Sequence, residues 1–368
     1  MEKKINIVIE ESMPTAFLNS DRIYQDGTTP MYRDKDGSLW AMSGHSHMGE
    51  IAMFKGTSLD DIKKVYPINL NFCVGHADFA FDGVCYPEGV KARGSMWPFG
   101  LYICPVTHRF FCFFHNETGW NGKGTGYDAE GYCDTPKCDW DFRHIGLMHS
   151  DDEGKNWTFD RWVLTSEEVC FTDTFNPGAG NVLGQTGDVF SCGSGDFSTY
   201  IDDEYIYIFY NIIRANRAIV SLKNVDVYVA RTRRREDGIM GDFVKYYNGA
   251  FTEPGNFGKE TPIAYNSWHP RVIYLEKYGV YLMTASYADP TVTEKMIKHE
   301  TQMRISNDLV NWGEVYVQEY DGKPFGNHYV ALVSDDTDTQ PSYAKGDRVS
   351  FLTNHNGTDV TRYKAHIE

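Results

Sequence analysis

Two aspartates and two histidines stand at comparable places in this chain although they lie far apart. Asp26 precedes the run PMYRDKDGSLWAMSG, Asp196 opens GDFSTYIDDEYIYIFYN, His269 lies in SWHPRVIYLEKYGVYLM, and His328 lies in GNHYVALVS. Each puts an ionisable side chain at the head of an apolar, strand-like run. A carboxylate can take a proton from water, and a second can bind hydroxyl groups and tune a neighbour. An imidazole that titrates near neutrality can deliver a proton. Together these are the parts of general acid–base catalysis. Each also has a local structural reading. Asp26 in Q-D-G and Asp196 in G-D-F-S suit Asx turns, His269 before a proline can satisfy a backbone group, and His328 can be a structural histidine.

For these four to act together, the chain must bring several strand openings to one place. Strand-like runs recur with turn signals between them, and no segment longer than about a dozen residues keeps a helical period. Five times a polar or Gly-rich opening leads to a strand, a turn built on Asp or Gly, and an aromatic strand. That rhythm predicts an all-β, five-bladed β-propeller, with a sixth blade only if the Gly-rich region TGWNGKGTGYDAEGYCDTPKCDWD hides one. Residues 150–157, SDDEGKNW, match S-x-D-x-G-x-x-W, an Asp box, which is a hairpin turn between outer strands of a blade. A shortened version, Ser306, Asp308 and Trp312, recurs later. In a propeller the innermost strands ring a central channel, and residues at their openings converge at its mouth.

No linker or low-complexity tract divides the chain, and residues 1–368 are expected to form a single propeller domain. Fifty-one acidic against 35 basic residues, a net charge of −16, work against nucleic acid or an anionic membrane as partner. The basic run RTRRR at residues 231–235 reads as a charged strand end or hairpin, with anionic-ligand binding the alternative. No run reaches the roughly 18 apolar residues of a membrane span. The start lacks a signal-peptide core, which predicts a cytoplasmic protein unless a leader has been removed. Nothing in the sequence speaks to oligomeric state. The eight cysteines show no compact disulfide framework and are expected as buried thiols. Cys133 and Cys138 with Asp134, His144 and His149 could be drawn as a zinc site, but C-x4-C matches the usual spacings poorly. The pair His45 and His47, in H-S-H, is a weak metal signal.

At the blade openings the chain resembles the five-bladed propeller glycosidases, which include arabinanases, β-xylosidases, invertases and neoagaro-oligosaccharide hydrolases. DGTTPMYRDKDGSLWAMSG looks like their first blade, SGDFSTYIDDEYIYIFYN like the blade opened by their second Asp, and SWHPRVIYLEKYGVYLM like the blade that carries the acid. FVKYYNGAFTEPGNFGKETPI is similar to a further segment of the group. The resemblance implies an inverting hydrolase of oligo- or polysaccharides in which Asp26 is the base and Asp196 holds the sugar and tunes the acid. Most of the group has Glu at the acid position, where this chain offers Trp268 and His269. The neoagaro-oligosaccharide branch makes His269 the acid, with Glu260 and Glu117 as fallbacks. The resemblance requires no cofactor. His328 looks like the residue that lines the channel near a bound cation, Ca2+, in arabinanase-like members.

The sugar-binding candidates are Trp97, Trp268 and Trp120 as stacking surfaces, with His115, Glu117 and Arg271 as polar partners; Trp40 is a further aromatic, and His76 could reach the same mouth. A carbohydrate is therefore the expected partner. Two rival readings stand beside this one. A sialidase-like enzyme would need an arginine clamp, for which Arg93, Arg143, Arg214 and Arg271 are available, and a Tyr–Glu nucleophile pair. A non-catalytic carbohydrate-binding propeller would keep the aromatics and dispense with the carboxylate pair.

Overall fold

The computed structural model describes residues 4–15, 26–45, 50–70, 95–118, 142–166, 189–216, 221–288, 297–354 and 360–368. Strands dominate these, and the one helical element among them is a 3-10 turn at Glu276–Tyr278. No helix among the described residues is long and apolar enough to cross a membrane.

The strands group in chain order into five mainly antiparallel units, the arrangement of a β-propeller; a single parallel bridge, Gly193 to Arg143, joins the second and third units into one ten-stranded sheet. The first blade is Met31–Arg33, Leu39–Gly44, Ile51–Gly56 and Lys63–Pro67; the second is Ser95–Ile103, Phe110–Thr118, Phe142–Ser150 and Asn156–Leu164. The third runs from Val189–Ile201 through Tyr205–Asn216, Ser221–Arg233 and Val244–Tyr247, extended by Ala250–Pro254. The fourth is Ser267–Leu275, Val280–Ala288, Ile297–Ser306 and Tyr316–Val317. Tyr329–Ser334, Arg348–Asn354 and Thr361–Ile367 begin the fifth, which the N-terminal strand Ile7–Pro14 completes by pairing with Thr361–Ile367. Joining both ends of the chain in one sheet closes the ring. First strands of successive blades, from the first to the fifth, pack on one another around the centre.

Packing explains the high aromatic content. Each sheet is covered on both faces by its neighbours, so its middle strands read as continuous apolar runs rather than alternating ones. Phe110, Phe111, Cys112, Phe113 and Phe114 are all buried in a core that also takes Trp40 of the first blade, Trp157 and Trp162 of the second and Tyr210 of the third. Large flat side chains fill the gaps between the twisted sheets.

The octet at 150–157 joins the third and fourth strands of the second blade. Ser150 Oγ accepts from the Gly154 N–H at 2.9 Å, Asp152 Oδ1 accepts from the Asn156 N–H at 2.9 Å, and Trp157 Nε1 donates to the Gly154 carbonyl at 2.8 Å. Gly154 lies at φ +87°, and a Cβ there would come within 2.9 Å of Met53 Sδ in the first blade. The shortened copy makes the same bonds with one residue fewer. Leu309, at φ 69°, replaces the Glu153–Gly154 pair, and Trp312 Nε1 donates to its carbonyl at 3.1 Å. Basic residues 231–235 lie at the end of a strand, as expected. Arg231 stacks over Tyr205 at 4.0 Å, and Arg233 pairs with Glu204 at 3.0 Å.

Candidate functional site

Asp196 and His269 do not stand ahead of their strands; they lie inside them, at bulges. The register of Val189–Ile201 shifts between Gly195 and Ser198, and that of Ser267–Leu275 between Trp268 and Arg271. Both residues take left-handed backbone, φ 46° for Asp196 and φ 55° for His269. A bulge re-aims a side chain that regular pleating would send into a blade interface. Asp and His are among the residues that tolerate this conformation best.

Each bulge is held by buried polar groups. The Asp196 N–H donates to His115 Nδ1 at 2.9 Å, which leaves the imidazole proton of a neutral His115 on Nε2. Only glycine fits before it, since a Cβ on Gly195 would lie 2.5 Å from the His115 ring. Asn211, fully buried on the second strand of the third blade, accepts from the His269 N–H at 2.9 Å. Its Nδ2 donates to the carbonyls of Asp226 at 3.0 Å and Ser267 at 2.8 Å. Ser198 Oγ donates to the Pro270 carbonyl at 2.6 Å, which ties the two bulges together.

The two bulges bring their side chains face to face. His269 Nδ1 is 3.8 Å from Asp196 Oδ1, Arg143 Nε is 3.8 Å from Oδ2, and Trp268 Nε1 donates to Oδ2 at 2.9 Å. Burial favours the neutral acid, yet His269 and His115 when protonated, with Arg143 and the Trp268 N–H, hold the Asp196 carboxyl down to about 2. The His269 ring stacks on Trp268 at 5.2 Å and meets the edge of Tyr329 at 4.1 Å. Burial drives this imidazole well below its ordinary value, and Asp196 works against that push. Its Nε2 is buried with no partner among the described residues.

Asp26 joins from the first blade. Tyr329, the first residue of the innermost strand of the fifth blade, donates its hydroxyl to Asp26 Oδ1 at 2.6 Å. Gly27 (φ +144°) lies against Phe99, whose ring a Cβ would meet at 2.0 Å. Asp26, Tyr329, His269 and Asp196 thus form a continuous chain of contacts through the first, fifth, fourth and third blades.

Other candidates fall around this chain. Trp97 is buried, stacked on His45 at 5.2 Å and edge-on to His115 at 5.3 Å, so it supports the ring that holds Asp196. Arg271 is buried, and its Nη1 donates to the Thr29 carbonyl at 3.2 Å. His328 lies 5.3 Å from the His269 ring and 6.0 Å from that of Trp268, and Ser286 Oγ donates to its carbonyl. Among the described residues no three His, Cys, Asp or Glu side chains are grouped as metal ligands. Glu260 is committed elsewhere: Lys245 lies at 2.8 Å, and the Tyr210 hydroxyl donates to it at 2.6 Å. Trp120, His47, His76, Arg93, Cys133, Asp134 and Cys138 lie outside the described residues, as does the side chain of Glu117. His149, drawn above as a zinc ligand, bonds Asp160 at 2.6 Å. Sequence reasoning missed Tyr329 and Asn211. A lone Asn in the apolar run IFYNII was the available signal for the second.

No family model matches the sequence, and no curated protein matches it. Among solved structures, the chain is similar to an exo-β-1,3-galactanase from Phanerochaete chrysosporium with β-1,3-galactotriose, at 11% identity and a TM-score of 0.47. That match covers 97% of this chain and 64% of the galactanase, so the chain spans less than two thirds of that protein's length. It is also similar to a family 117 glycoside hydrolase produced by the marine bacterium Zobellia galactanivorans, at 10% identity and a TM-score of 0.49, covering 98% of this chain and 90% of that one. A third similar structure is an α-L-arabinofuranosidase from Lactobacillus brevis, at 14% identity and a TM-score of 0.45, with 96% and 92% covered.

Proposed function

We propose that this protein is a glycoside hydrolase acting on oligo- or polysaccharides by an inverting, acid–base mechanism. The observation that carries the reading is the contact chain Asp26–Tyr329–His269–Asp196, which gathers two carboxylates, an imidazole and a phenol from four blades. In this mechanism Asp26 removes a proton from the attacking water. Asp196, held ionised, accepts a sugar hydroxyl and favours the protonated form of His269. His269 then protonates the departing glycosidic oxygen, so that attack and departure take place on opposite faces of the sugar. Trp268, stacked on His269, supplies the apolar wall.

A carbohydrate-binding propeller without turnover is the second reading. It is favoured by the Asp196 carboxylate, which Trp268 and Arg143 already engage, and by the neutral state that burial imposes on His269. The sialidase-like reading has less support. A Tyr–Glu pair among the described residues, Tyr210 with Glu260, is committed to the buried Lys245.

The test is a glycan and aryl-glycoside screen of the wild type beside Asp26→Asn and Asp196→Asn, with product anomers followed by NMR. Turnover with inversion, lost at least 10²-fold in both variants, is expected. Turnover unchanged in both would overturn the assignment, and saturable sugar binding without turnover in the wild type would establish the second reading.

A further inference from the structure

Three cations among the described residues are buried, and the fold supplies a carboxylate to two of them. Lys245 has Glu260 at 2.8 Å, and Arg362 has Asp335 at 2.7 Å and Asp60 at 2.6 Å. Arg271, 4% exposed, has none. Its only hydrogen bond among the described residues runs from Nη1 to the Thr29 carbonyl at 3.2 Å, and its Nε is buried without an acceptor. Next to Thr29 in the chain, Thr28 Oγ1 is a second buried group without a partner.

The position of Arg271 gives this imbalance a meaning. It lies two residues beyond His269 on the innermost strand of the fourth blade. Thr29, which it reaches, lies three residues beyond Asp26 and leads into the innermost strand of the first blade. The guanidinium therefore bridges two innermost strands beside the candidate site. A guanidinium cannot readily escape burial by losing its proton, and a buried charge without a counter-charge is costly. Burial alone pushes Arg271 down to about 10, with no neighbour opposing it.

We propose that Arg271 supplies the donor side of a binding site for a small monovalent anion, beside the candidate catalytic groups. The planar fork of a guanidinium suits a carboxylate, and its single charge suits a halide. Two sources share this chemistry: the carboxylate of a uronic-acid sugar, which rests on the hydrolase reading, and a free halide, which does not.

Thermal unfolding of the full chain distinguishes them, because a ligand of the native state alone raises the midpoint in a saturable way. Wild type and Arg271→Gln are titrated with sodium bromide, sodium glucuronate and neutral methyl glucoside, at constant ionic strength made up with sodium sulfate. A saturable rise of a few degrees with bromide or glucuronate, absent with methyl glucoside and absent in Arg271→Gln, is expected. Response to bromide alone assigns a free halide; response to glucuronate that bromide competes away assigns the sugar carboxylate. No response to either anion, or equal responses in wild type and variant, overturns the proposal. Should Arg271→Gln fail to fold, anomalous scattering from bromide-soaked wild-type crystals takes its place. A peak against Arg271 supports the site, and its absence together with no glucuronate response overturns it. No turnover is measured, so failure of the hydrolase reading would leave these results standing.

Discussion

Tyr329 reaches Asp26 through its hydroxyl, at 2.6 Å from Oδ1, while its ring lies 4.1 Å from that of His269. One side chain thus touches both the proposed base and the proposed acid. Hydrogen bonding to a carboxylate favours its ionised form, so the bond helps keep Asp26 ready to accept a proton. Tyr329→Phe keeps the ring against His269 and removes only the hydroxyl. The acidic limb of the kcat/KM profile is expected to move to higher pH, with a loss of about tenfold at its optimum. A profile superimposable on that of wild type would show that the hydroxyl does not act on the base.

Two histidines tie stability to pH. His269 is pushed well below its ordinary value, first by burial, and burial together with nearby His115 holds His144 down to about 3. Both are held neutral near pH 7 in the folded protein, whereas in the unfolded chain they titrate near 6.5. For a group whose folded pKa lies below its unfolded one, the unfolded state binds more protons at acid pH. Stability is therefore complete above about 6.5 and falls as pH drops below it. Between pH 7 and pH 5 the loss should be about 2 kcal/mol for His144, with His269 adding to it in the same direction. Chemical denaturation at the two pH values measures the sum, and His144→Phe should remove about 2 kcal/mol of it.

The architecture was legible in the sequence because its signals are local. Asp and Gly turns such as DKDG and SDDEGKNW mark hairpins, and runs such as FFCFF announce strands buried on both faces. The position of Asp26 ahead of the first blade's opening strand was legible for the same reason, as a polar residue before an apolar run. Asp196 and His269 are expected at strand openings, whereas the structure places both inside strands, at bulges. A bulge at a non-glycine residue leaves no mark in the residue itself, although Gly195 beside Asp196 was a hint. Tyr329 was invisible because a tyrosine opening a strand looks like any strand aromatic. Its role exists only after the fifth blade closes against the first, a relationship that no local pattern encodes.

Asn211 tests whether the His269 bulge is built as described. It makes three hydrogen bonds to backbone groups around that bulge, from a fully buried position. Asn211→Ala leaves two carbonyls and one N–H without their partner and should cost about 2–4 kcal/mol of stability. Asn211→Asp keeps the acceptor for the His269 N–H and loses both donors. If the bulge matters to catalysis, Asn211→Asp should lose more kcat than its stability loss alone explains, with KM changed little. Denaturation midpoints and steady-state kinetics on the two variants separate the effects.

His269 remains the decisive residue, because its lowered pKa constrains how it can serve as an acid. An imidazole kept mostly neutral by burial donates a proton only from its imidazolium form, which is populated only well below the ordinary imidazole range. Turnover of natural glycosides should therefore have an alkaline limb on the acid side of neutrality. His269→Ala should abolish that limb and lower kcat on natural glycosides by about 10²–10⁴-fold. Aryl glycosides with acidic phenol leaving groups need little protonation, so their turnover should survive within about tenfold. A histidine that only packs between Trp268 and Tyr329 would behave differently: its removal would disturb the site for every substrate alike, and equal losses on both classes would rule it out as the acid.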